Sequence, residues 1–165
     1  MAALRWLLDV EGVRSASAGV LGGLAMGTYE MLSTWSIGPA LLAPLELVAT
    51  PHPFARAHPA LIGLGMHLVT AGFWGTRLGA VAAAAPPRLL RGPGALLAGL
   101  MWGAGVWVVM GKIIGPLINP RIAGAPEPHF LVGHLLYGVV SVLALGAMLR
   151  VFPLREGEGS AHPRV

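Results

Sequence analysis

Of the ionisable side chains inside apolar stretches of this chain, four could do chemistry together: Glu30, His67, Lys112 and His134. Such groups are costly in hydrocarbon. In membrane helices they face a bundle interior or a water-filled cavity, and they mark ion, proton or cofactor sites. Glu30 precedes the breaker Gly38-Pro39, Lys112 lies four residues before Pro116, His67 eight after Pro59 and His134 six after Pro128. If the stretches are helices that alternate in direction, a rise of ~1.5 Å per residue puts all four in one layer, ~6–12 Å below one end of a bundle.

Three chemistries fit that layer. In a polar network, Glu30 pairs with Lys112 while each histidine donates to a backbone carbonyl, or bonds Tyr29 or Tyr137. In a cofactor site, His67 and His134 supply opposite axial ligands to a b-type haem, with Gly63, Gly65, Gly133 and Gly138 leaving room for the ring. In a proton or small-ion path, Glu30 and the histidines form the entrance, but no acid continues it toward the other side along the later stretches. The network is the expectation adopted, with haem as the alternative.

Other chemistry has little to build on. His52 and His58 lie six apart in PHPFARAHP with no cysteine or nearby acid, short of the three or four ligands a zinc ion takes. No metal site is expected. The chain has no cysteine, which removes disulfides, thiolate catalysis and Cys-held metals. No nucleophile–base signature, phosphate loop or HExxH occurs, so a non-enzyme is expected.

The elements that position these residues are written in composition. Of 165 residues, 55% are hydrophobic and 11% charged, against about 25% charged in soluble domains. Mean hydropathy is +0.72. The eleven Lys and Arg are scattered, with no run of four, so the basic balance does not point to nucleic acid. Four apolar stretches, roughly 16–37, 60–82, 94–117 and 129–152, each reach the ~20 residues of a membrane span. Proline and glycine separate them, ending helices by removing a donor and restricting the preceding residue. The expected fold is an all-α integral membrane protein of four transmembrane helices.

Residues 1–15 read as an interfacial segment, and 153–165 as a disordered cytoplasmic tail. The loop 38–59 carries an apolar piece, ALLAPLELVA, placed in the interface or as a plug in the bundle's outer mouth. Orientation follows Lys and Arg. Arg5, Arg14, Arg77, Arg88, Arg91, Arg150, Arg155 and Arg164 share one side, against Arg56, Lys112 and Arg121 on the other. Eight against three places both termini in the cytoplasm.

Glycines at four-residue spacing form flat stripes: Gly19, Gly23 and Gly27 in the first span, Gly63 and Gly75 in the second, Gly99 and Gly103 in the third. Such stripes let helix backbones approach closely. The first and third spans match as GLAMG and GLMWG, and the second and fourth share an early histidine in MHLV and GHLL. This is a two-hairpin pseudo-repeat whose axis runs along the membrane normal. With GVLGGLAMG, MHLVTAGFWG, GALLAGLMWGAGVWVVM and GHLLYGVV in place, residues 16–150 resemble an uncharacterised family of small four-helix bacterial inner-membrane proteins, a domain of unknown function. The resemblance implies the fold and the bacterial membrane and brings no activity; Glu30 and Lys112 are not part of its pattern. The expected function is a non-catalytic subunit that packs against or stabilises a larger membrane assembly, with lipid and other subunits or further copies as partners. A haem electron carrier and a small transporter are the alternatives.

Overall fold

The structure is a computed structural model that describes residues 10–38, 40–124 and 127–151. Among them the fold is all-helical, with five helices and no strand. In chain order they are α1 (Val10–Ile37), α2 (Ala43–Ala49), α3 (Pro59–Ala84), α4 (Gly92–Ile118) and α5 (Glu127–Val151). Proline opens α2, α3 and α4, at positions where its missing N–H has no helical partner to lose. Gly92 enters α4 with φ +53°, a left-handed conformation that glycine adopts without steric cost.

Two boundaries differ from expectation. The first helix begins by Val10, so residues 10–15, read as interfacial, belong to it, and Ser15 is buried. Residues 1–9 and the tail from 152 lie outside the described residues. In α4 the turns over Trp107–Ile114 are π-helical. Pro116 follows directly; it offers no N–H to the Lys112 carbonyl, and its ring crowds that group. A widened turn accommodates the crowding and rotates the residues within it.

The glycine stripes lie where helices touch. A Cβ on Gly19 of α1 would stand 2.6 Å from the Gly75 Cα of α3, and one on Gly23 would stand 2.5 Å from Ala71 Cβ. In the second hairpin, a Cβ on Gly99 of α4 would sit 2.6 Å from Val139 Cα, and one on Gly138 of α5 would sit 2.7 Å from Gly103 Cα. Gly63 faces the Leu45 backbone, which lets α2 lie across α3. Gly27 faces the His67 ring at 3.5 Å instead of a backbone.

α1 packs on both α3 and α5, and α5 packs on α4. The outer helices α3 and α4 meet through Trp74 and Trp102, edge to face at 6.2 Å. The half of the bundle away from α2 is filled by Ala18, Leu78, Ala95, Val142 and Leu145.

Two helices are long and apolar enough to cross a membrane: Gly92–Ile118 and Glu127–Val151, with mean hydropathy 1.6 and 2.0. Only 28% and 44% of these windows are buried, which leaves Leu97, Met101, Leu117 and Leu143 on the surface. α1 and α3 are 28 and 26 residues long but fall short of that hydropathy. Glycine and hydroxyl side chains, with Glu11, Arg14 and Glu30 in α1 and His67 and Arg77 in α3, lower their mean hydropathy. The expected four spans are thus narrowed to two helices that qualify by composition, with α1 and α3 packed beside them.

Candidate functional site

At the α2 end the helices part around a cavity of about 470 Å³, with side chains from all five helices in its walls. Ala71, Trp74, Val106 and Tyr137 line its deeper part; Leu47 and Val48 of α2, with Arg121 and His129, line its mouth. The Tyr137 hydroxyl, buried, donates to the Ala71 carbonyl at 2.9 Å and ties α5 to α3 there.

His67 and His134 both reach this cavity and are held differently. His67 shares one line of α3 with Gly63, Ala71 and Gly75, because residues four apart stack on one face. That line faces α1, and His67 Nε2–H donates to the Gly23 carbonyl at 2.8 Å. His134, only 4% exposed, turns back along its own helix. Its Nδ1–H donates to the Phe130 carbonyl at 2.8 Å, and its ring lies edge to face with Phe130 at 4.5 Å. A carbonyl only accepts, so each bonded nitrogen carries the proton. The neutral rings are opposite tautomers, with lone pairs left on His67 Nδ1 and His134 Nε2. For haem this matters: His67 commits Nε2, the less hindered nitrogen for an iron ligand, to a backbone carbonyl.

Glu30 lies in the cavity wall with its carboxyl against α5 at Gly133, where a Cβ would stand 2.9 Å from Oε1 and 3.3 Å from Cγ. Oε1 is buried with no hydrogen-bond partner among the described residues. The expected partner is elsewhere. Lys112 is a surface residue that pairs with Glu127 at the start of α5, their side chains 40% and 67% exposed, and its ammonium stands 5.0 Å from the Trp107 ring centroid. The layer of four is therefore a layer of three. Lys112 sits in the π-widened turns, and Glu127 offers it a carboxylate on the surface, so neither charge is buried among apolar side chains.

α2 roofs the mouth. Asn119, 3% exposed, donates from Nδ2 to the Leu47 carbonyl at 2.7 Å and accepts the Arg121 N–H at 3.2 Å. The apolar piece of the long loop thus lies over the mouth, as one of its two expected placements had it. Asn119 was not singled out in the sequence. Its one local sign is an amide side chain between an apolar run and a proline. Nothing local separates Thr70 or Glu127 from packing or surface residues, and Trp74 reads from the sequence as a packing or interface side chain only. Tyr29 bonds His129, at 3.4 Å, and neither buried histidine. His52 stacks near Phe54 at 5.3 Å, and His58 is exposed. Among the described residues no three His, Cys, Asp or Glu side chains are placed to hold a metal ion.

The chain matches no protein-family model, no curated protein and no solved structure. The functional reading accordingly rests on the geometry.

Proposed function

We propose that this chain is a non-catalytic, four-span protein of the bacterial inner membrane that binds a small ligand in the cavity at its outer end. The cavity carries the reading. Its 470 Å³ lies within the ~300–1,000 Å³ usual for small-molecule sites, and its make-up, apolar walls with a few convergent polar groups, is theirs as well.

The membrane placement draws on the apolar surface. Leu21, Leu24 and Leu32 of α1 and Leu61, Val69, Phe73 and Val81 of α3 are exposed alongside the outward residues of α4 and α5. Contiguous apolar surface on this scale suits lipid better than water. The eight-to-three division of Lys and Arg favours cytoplasmic termini, which puts the α2 end outside.

Binding is better supported than conduction, because the apolar cluster around Leu78 and Val142 plugs the half away from the cavity. Haem has less support than a diffusible ligand, given the engaged Nε2 of His67. The accessory-subunit expectation loses the stripes that would dock a partner, since they are taken up between helices of this chain.

Thermal unfolding of the full chain in mild detergent, against a panel of small amphiphiles of either charge and none, tests the reading. At least one class should stabilise the protein, by about 2.7 kcal/mol at a hundredfold excess over Kd. Thr70→Trp, which fills the cavity, should remove the effect with helicity intact. A panel without effect, or one equally effective on Thr70→Trp, would overturn the reading.

A further inference from the structure

We propose that the ligand is a small organic cation, a protonated amine on an apolar body, with Glu30 as its counter-charge. This rests on reading the cavity as a binding site and names the chemistry it selects. Glu30 is the one acid in the cavity wall among the described residues, and its Oε1 is buried without a donor. A buried carboxyl holds its charge only beside a cation or hydrogen-bond donors that replace lost hydration, and otherwise keeps its proton. The bundle supplies neither: Lys112 turns out to Glu127, and no cationic side chain among the described residues pairs with Glu30. The missing group is supplied by what enters the cavity.

The surroundings suit a cation. Trp74, Phe130 and Tyr137 line the same space, and aromatic faces attract ammonium groups once water is excluded. Met26 and Met110 add polarisable thioethers to the wall, suited to an adaptable apolar fit. His67 and His134 each use one N–H on a carbonyl, which leaves lone pairs able to accept from an ammonium. His129 and Arg121 also face the cavity, both exposed at its mouth. Arg121 acts there through water and is screened, whereas a charge carried by Glu30 acts from an apolar wall where fields are strong. An anion passing Arg121 would meet no buried cation in the wall among the described residues, and could share the pocket with Glu30 only while the carboxyl keeps its proton. Gly133 keeps the place for that carboxylate, because a Cβ there would displace it.

A matched series isolates the charge: 4-phenylbutylamine, 4-phenylbutan-1-ol and 4-phenylbutyrate, titrated at neutral pH against the full chain in detergent, with binding read calorimetrically. The amine should bind roughly tenfold or more tighter than the alcohol, and the acid weakest. Glu30→Gln should bring the amine down to the alcohol's affinity and leave the alcohol unchanged, while Glu30→Asp retains part of the preference. If Glu30→Gln fails to fold, the order of the three probes on the unaltered chain still decides. Equal binding of amine and alcohol, or preference for the acid, overturns the cation and leaves the cavity reading standing. Silence from all three overturns the cation as well; the cavity reading falls only if the wider panel and Thr70→Trp also show nothing.

Discussion

Lys112 and Glu30 end in different surroundings, one exposed and one buried, and that difference sets what each contributes to stability. The Lys112–Glu127 pair is exposed on both sides. Exposed pairs are worth ~0.2–1 kcal/mol and weaken with salt. A double-mutant cycle on Lys112→Ala and Glu127→Ala, read by thermal unfolding in detergent, should give coupling below about 1 kcal/mol; coupling of several kcal/mol would place the pair in the interior. Glu30 is the opposite case. Its buried oxygen has no partner among the described residues, so Glu30→Met, close in volume, should leave the ligand-free protein equally or more stable, because it removes an unsatisfied polar group. A loss of ~3–5 kcal/mol, the scale for breaking a buried pair, would show that Glu30 has a structural partner after all. Stability held back at one wall residue is what a binding site requires.

At the scale of the helix, position outweighs residue type. Gly103 and Gly105 are two residues apart on α4, yet a Cβ on Gly103 would meet the His134 and Leu135 backbone, while one on Gly105 would meet nothing within 4 Å. Gly103→Ala should destabilise by ~1–3 kcal/mol through overpacking. Gly105→Ala should be neutral or slightly stabilising, since alanine is the better helix former. Equal effects of the two would show that the α4–α5 contact does not run along this stripe. The same logic applies to α2. Asn119→Leu removes the side-chain bond to the Leu47 carbonyl, which should cost about 0.5–1.5 kcal/mol and speed hydrogen exchange in Ala43–Ala49 before the long helices respond. Unchanged exchange there would mean that packing on Gly63 alone holds the roof.

For the molecule as a whole, the proposed topology has a clean test, because the native chain has no cysteine. In intact cells a membrane-impermeant thiol reagent should label Ala57→Cys, an exposed site near the cavity mouth, and spare Leu90→Cys between α3 and α4. The reverse pattern would invert the bundle and turn the cavity to the cytoplasm. Two features make the cavity one-ended among the described residues: the helices part around it at the α2 end, and Ala18, Leu78, Ala95, Val142 and Leu145 pack together at the other.

Helix positions were legible in the sequence because their signals are local. Apolar length and proline punctuation placed the four long helices to within a turn or two at either end. Four-residue spacing marked Gly19, Gly23, Gly99 and Gly103 as a contact face, and the expense of ionisable groups in apolar stretches picked out Glu30, His67 and His134. What surrounds those groups depended on tertiary structure. Depth along a helix is a matter of counting, but direction is a matter of rotation, and each residue turns the face by ~100°. The π-helical turns before Pro116 break that count, so counting residues could not show that Lys112 looks outward to Glu127. Likewise, whether ALLAPLELVA lay on lipid or over the bundle was decided by Gly63 and Asn119, 56 residues apart in sequence. Residue type and spacing marked the groups that need company; the packing of five helices set which of them received it, and left Glu30 beside a cavity with no partner for its buried oxygen among the described residues.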